Sequence, residues 1–210
     1  MKKILTSLVL GASLLFPSQS NADTYTRDLN QGWNLISIPY ELGQMSVPEV
    51  FSSVGDDLIE VKDDIKVWNN NLPEQVRMKS MFPEKGYWVD VAKSSTLTID
   101  DLTKAQRDSI HLKQGWNLIG YLYDTPKTPE LFFGNCLDKI VAVNGFENGA
   151  LTYDPLLPEF SDLKEMKPNY GYWVNAKSSF DLAIPEPNSA ILLATGLSSI
   201  ALGYKLFRRK

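Results

Sequence analysis

Apolar residues are distributed unevenly along the chain. They dominate one run from Ile4 to Phe16 and a second from 190 to 204, and between these they recur in short alternating segments. In Gln31-Gly32-Trp33-Asn34-Leu35-Ile36, Trp33 and Leu35 fall on one face and Ile36 with Ile38 on the other, which predicts an interior strand covered on two sides. Val47-Pro48-Glu49-Val50-Phe51 places proline early and an acid in the first turn, the signature of a short helix. Leu58 to Trp68 and Ile140 to Tyr153 are β-branched and aromatic around polar turns, with Asn144-Gly145 and Asn148-Gly149 as hairpin signals. Gly86-Tyr87-Trp88-Val89, a Lys-Ser-Ser turn and Thr96 to Ile99 predict a closing hairpin. The expected class is mainly β with short helices, a β-rich α+β chain.

These elements occur twice. Leu29 to Ile36 returns as Leu112 to Ile119 at an offset of 83, and Val47 to Phe51 returns as Thr128 to Phe132 at 81. Gly86 to Val89 returns as Gly171 to Val174 at 85, and Ala92-Lys93-Ser94-Ser95 returns as Ala176 to Ser179 at 84. Four blocks in one order with slowly drifting offsets imply a duplication with small loop insertions. The expected organisation is therefore a β-rich repeat over 23–100 and a second over 101–184. The joint, Asp100 to Asp108, is polar and reads as a helical turn or an extended linker. A unit of about 80 residues can bury a modest core, so the copies can fold separately or share one sheet system. Packing of two similar units through their aromatic strands is the favoured expectation.

The two long apolar runs carry a different message. Met1, Lys2 and Lys3 precede the first, and Ser20-Asn21-Ala22 places small residues three and one before Asp23. This pattern predicts a secretory signal peptide over 1–22 with cleavage between Ala22 and Asp23, which implies the Sec export machinery. At the other end Pro185-Glu186-Pro187 leads into the run 190 to 204, followed by Lys205 and by Arg208, Arg209 and Lys210. Fifteen apolar or small residues at about 1.5 Å rise each are expected to form a short single hydrophobic helix, with Lys205 able to snorkel and the basic cluster expected on the cytoplasmic side.

Over residues 185–210 this arrangement resembles the PEP-CTERM sorting signal of Gram-negative bacteria, with Pro185, Glu186 and Pro187 matching its triplet. The resemblance implies processing by an exosortase-type enzyme, transient residence in the inner membrane, and delivery to the envelope, cell surface or extracellular matrix of a host that makes exopolysaccharide. It implies nothing about the body. The GWNLI and GYWV blocks resemble a repeat of secreted and cell-surface bacterial proteins to which no chemistry is assigned.

Charge and composition narrow the partners. The segment from Asp23 to Ile184 is 162 residues long and holds 15 of the 21 basic residues and 24 of the 25 acids, a formal charge of −9. Such a body disfavours nucleic acid and anionic lipid. Cys136 is the single cysteine, so no intrachain disulfide forms, and its apolar neighbours mark it as a small buried residue.

Candidate chemistry is sparse. The single histidine, His111, sits in a strand-like lead into the second QGWNLI without a counterpart in the first copy, and reads as a surface or strand-edge residue. Asp56-Asp57, Asp63-Asp64 and Asp100-Asp101 are adjacent pairs, which on a strand point to opposite faces and otherwise mark solvated turns. No zinc-ligand cluster, calcium loop or phosphate loop is present, so no catalytic residue, metal or cofactor is expected. Trp33, Trp88, Trp116 and Trp173 recur at matching strand positions and are expected in the core with Tyr87 and Tyr172. Trp68 and its counterpart Tyr153 lie beside turn residues and are the aromatics expected to face a ligand. The function expected is a noncatalytic envelope or matrix protein, with a carbohydrate-binding module for exopolysaccharide as the alternative.

Overall fold

The structure is a computed structural model that describes residues 22–184. The leader before Ala22, the Pro185-Glu186-Pro187 triplet, the run 190 to 204 and the basic cluster at Arg208, Arg209 and Lys210 lie outside the described residues. Among the described residues no helix is long and apolar enough to cross a membrane.

The chain is mainly β. Its first half contains β1 (Asp23–Leu29), β2 (Gly32–Ser37), β3 (Tyr40–Glu41), helix α1 (Val47–Val50), β4 (Leu58–Lys62), β5 (Val67–Asn69), β6 (Gly86–Val91) and β7 (Ser95–Lys104). Its second half contains β8 (Ser109–Leu112), β9 (Gly115–Gly120), helix α2 (Pro129–Phe133), β10 (Ile140–Phe146), β11 (Ala150–Tyr153), β12 (Gly171–Ala176) and β13 (Phe180–Ala183). The strands pair antiparallel into four sheets, ordered β2-β6-β4-β5 with β1-β7-β3, and β9-β12-β10-β11 with β8-β13. The strand order of the larger sheet is the same in both halves.

Each half has its own core. Tyr87, Val89 and Val91 alternate inward along β6, and Leu97 and Ile99 of β7 meet them from the smaller sheet with Tyr25 and Leu29 of β1. Tyr172, Val174 and Ala176 of β12 occupy the corresponding place opposite Ile110, Leu112 and Leu182. Full burial of each large side chain contributes about 1.5–3 kcal/mol, enough for a two-layer sandwich to hold without a disulfide. The short helices form where the proline and acid blocks predict them. The Glu49 carboxylate accepts from both the N–H and the hydroxyl of Ser46, each at 2.7 Å, and this pairing holds the carboxyl below its ordinary range.

The recurring blocks have a shared mechanical role. Asn34 Oδ1 accepts from the Asn30 N–H at 2.9 Å while its Nδ2 donates to the carbonyls of Asn30 and Gly32. Asn117 makes the same bonds to Lys113 and Gly115. Gly32 and Gly115 turn with φ of 86° and 89°, which admits glycine readily. The Gln31 N–H donates to Ser94 Oγ and the Gln114 N–H to Ser179 Oγ, both at 3.1 Å, so the Lys-Ser-Ser turn is tied to the glycine turn before β2 or β9.

Four expectations are corrected. The strands flanking the Lys-Ser-Ser turn do not form a hairpin: β6 pairs with β2 and β4, whereas β7 pairs with β1 and β3, so the turn is a corner between layers. The boundary between residues 100 and 101 falls inside β7, where Leu102 pairs with Asp23 and Lys104 with Tyr40, so the first unit extends to Lys104. Asn144-Gly145 lies within β10; the turn is Asn148-Gly149. A Cβ at Gly145 would lie 3.1 Å from the Tyr172 ring, which accounts for glycine there. Finally, β2 and β9 are edge strands of their sheets, and on their second face Leu35 and Leu118 meet the other half of the chain, at Gly171 and Gly86, while Trp33 and Trp116 stay exposed.

That contact follows an approximate two-fold relation. Ile36 bridges Tyr170 and Ile119 bridges Lys85, pairs that sit at equivalent positions. The Ser37 N–H donates to the Asn169 carbonyl at 3.1 Å, and the Gly120 N–H donates to the Glu84 carbonyl at 2.9 Å. Between them, a Cβ on Gly86 would lie 2.7 Å from the Ile119 oxygen and one on Gly171 2.7 Å from the Ile36 oxygen. The halves do pack through the expected strands, but by backbone approach at glycine. Each contact between two residues recurs between their counterparts, the pattern of a symmetric dimer interface within one chain.

Candidate functional site

Of the site residues expected from sequence, Asp23 opens β1 directly after the exposed Ala22. Trp68 and Tyr153 are not ligand-facing: they are 6% and 2% exposed. Their cross-strand partners explain this, because Trp68 stands opposite Val61 and Tyr153 opposite Val143, both fully buried, and directly paired residues share a face. Burial, with the Glu130 carboxylate nearby, pushes the Tyr153 phenol far up.

The outward aromatics are the ones expected inside. Trp33 is 37% and Trp116 49% exposed, while Trp88 and Trp173 are half-buried. Trp33 stands on the face of its sheet opposite the core, and its ring meets Trp88 edge-on at 6.3 Å and carries Lys62 Nζ at 3.9 Å. Tyr87 and Tyr172 are buried as expected, and their hydroxyls accept the Phe82 and Lys167 N–H groups at 2.6 Å, pinning the loops that precede β6 and β12.

The candidate hydrolytic groups do not converge. His111 is exposed on β8 and meets Asp181 of β13 across the strand pair at 2.7 Å. Cys136 is half-buried in a 3-10 turn, Gly134–Lys139, against the second core rather than fully enclosed. Asp63 caps its own turn by accepting from the Ile65 and Lys66 N–H groups, and with Asp64 it holds Lys85. Asp56 and Asp57 occupy the turn Gly55–Asp57, and Asp100 with Asp101 lies in β7.

A cleft of about 660 Å³ opens where the two halves meet. One wall is β1 and the turn into β2, bringing Arg27, Asp28, Asn30, Gln31 and Trp33. The other is the tip of the β10–β11 hairpin, Phe146, Glu147 and Asn148, with Tyr170 at the base. The hairpin reaches this far because nine residues separate Val143 from Tyr153, against six between the equivalent Val61 and Trp68. Phe146 consequently packs edge-on against Trp88 at 5.2 Å, and Asn148 accepts from Asn30 Nδ2 at 3.1 Å across the cleft.

Its charges are unevenly matched. Lys167 Nζ lies 2.7 Å from Glu147, and that bond, joined by the Tyr170 hydroxyl at 3.1 Å, holds the Glu147 carboxyl below its usual range. The Arg27 guanidinium lies over the Tyr170 ring at 3.6 Å. Among the described residues its Nε is buried without a hydrogen-bond partner, and no carboxylate lies within ion-pair distance of it. Arg27, Glu147 and Tyr170 escape sequence reasoning because they lie outside the recurring blocks; the signal was the greater length of the second hairpin. No family model, curated protein or solved structure matches the chain.

Proposed function

We propose that this chain is an exported, noncatalytic envelope or extracellular-matrix protein, sorted through Pro185-Glu186-Pro187 and presenting two copies of one duplicated β unit for structural or adhesive contact. The carrying observation is the fit of the folded body between its two expected processing points: β1 opens at Asp23, next to the proposed cleavage after Ala22, and β13 closes at Ala183, two residues before the triplet. A leader and a sorting tail can then be removed without cutting a strand of the described residues. The backbone-paired contact between halves supports a stiff body suited to passive display. In this reading the Sec machinery and an exosortase-type enzyme are the processing partners, the inner membrane is a transient station, and nucleic acid is not a partner. The test is protease added to intact cells of the host: digestion of the body without lysis is expected, and full protection until the cells are opened contradicts surface display.

The exposure of Trp33 and Trp116 favours a second reading, binding of the host's exopolysaccharide. A change in tryptophan fluorescence on adding that polysaccharide to the purified chain supports it, and an unchanged signal at millimolar sugar removes it.

A further inference from the structure

We infer that the cleft between the halves takes a carboxylate-bearing saccharide, with Arg27 receiving the carboxylate; this rests on the carbohydrate-binding reading. The first ground is the state of Arg27. A guanidinium offers five donors in a planar fork that matches a carboxylate, and a buried N–H without a partner is unfavourable. Here the Nε is sealed and unpartnered, no side chain or carbonyl of the described residues accepts from the two Nη groups that line the cleft, and Tyr170 backs the guanidinium at 3.6 Å, so the Nη fork is the part that meets a ligand. The nearest acid on the opposite wall, Glu147, is already taken by Lys167 and the Tyr170 hydroxyl, so it does not satisfy Arg27.

The second ground is the rest of the lining. Asn30 and Gln31 are exposed at the rim; Asn30 Nδ2 already donates to Asn148, so Gln31 supplies the amide donor and acceptor suited to vicinal hydroxyls. The partly exposed indole of Trp33 carries Lys62 Nζ over its ring and offers only its remaining surface to a sugar ring. The third ground is charge. Among the described residues Arg27 is the one cation lining the cleft, and its planar fork matches the two coplanar oxygens of a carboxylate. The cleft's volume of about 660 Å³ is that of a small-molecule site.

The test titrates the purified full chain with tri-galacturonate, with neutral galactotriose and with inorganic phosphate, by calorimetry at low salt. The expected result is preference for the acidic trisaccharide by about tenfold or more, the equivalent of one charge-assisted hydrogen bond. Arg27→Gln removes that preference, and Arg27→Lys restores part of it. Gln31→Glu, on an exposed turn, weakens the acidic sugar alone and serves if the Arg27 variants do not fold. Equal binding of the acidic and neutral sugars overturns the inference while leaving the carbohydrate reading standing. No binding of either at millimolar concentration overturns both, and binding that survives Arg27→Gln and Gln31→Glu, or is matched by phosphate, overturns the inference.

Discussion

Gly86 and Gly171 face one another across the junction of the two halves, close enough that a Cβ on Gly86 would stand 3.2 Å from the Gly171 Cα and 2.7 Å from the Ile119 carbonyl oxygen. A methyl there meets backbone, which cannot rotate aside. Gly86→Ala and Gly171→Ala are each expected to destabilise the chain by about 1–3 kcal/mol, the usual cost of overpacking, as measured by denaturant unfolding. Because the two positions touch, the double variant should depart from the sum of the single effects.

Ser37 marks where the two-fold relation breaks, since its counterpart is Gly120. Its hydroxyl donates to the Tyr170 carbonyl at 2.9 Å and accepts from the Tyr121 N–H at 3.1 Å, in a fully buried position. Ser37→Ala strands that N–H and should cost about 1–3 kcal/mol in thermal or denaturant unfolding. A Cβ at Gly120 would lie 2.3 Å from the Pro83 oxygen, so Gly120→Ser should not be tolerated in the reciprocal position.

The tryptophans should separate in their response to truncation. Trp68→Ala opens the first core and is expected to cost about 3–5 kcal/mol. Trp33→Ala and Trp116→Ala remove rings that are largely outside the core and should cost clearly less, with unfolding midpoints nearer the parent protein. A loss for Trp116→Ala equal to that for Trp68→Ala would place its ring in the core.

Glu147 supplies a pH dependence of definite sign. Its bond to Lys167, with the Tyr170 hydroxyl, holds the folded carboxyl below the unfolded glutamate value of about 4.3. A lowered folded value contributes stability above the unfolded one, and that contribution disappears as pH falls through the folded value. Unfolding measured from neutral pH down through this range should show Glu147→Gln converging on the parent protein at the acid end. Parallel curves throughout would show that the pair contributes nothing.

The strands and helices were legible because their periodicity is local. Tyr87-Trp88-Val89 alternates visibly, and the proline and acid of α1 and α2 announce their first turns. Sheet membership was not legible, because a Lys-Ser-Ser corner and a hairpin turn look alike until Ser94 is seen bonding the Gln31 N–H in the other layer. The tryptophans misled for a related reason. A ring at a recurring strand position can belong to either face, and only the cross-strand partner, Val61 for Trp68 and Asp90 for Trp33, decides which. The cleft depends on Arg27, Tyr170 and a lengthened hairpin drawn from distant parts of the chain, so its composition appears only once the two halves are packed.

Sorted export is tested most directly by the intact mass and cell fraction of the native protein beside a variant with Pro185, Glu186 and Pro187 replaced by alanine. The expected native form begins at Asp23, ends near the triplet and is found at the surface or released, while the variant keeps its tail and stays in the inner membrane. If both forms retain Lys210 and remain in the inner membrane, the tail is an anchor and sorting through the triplet is contradicted.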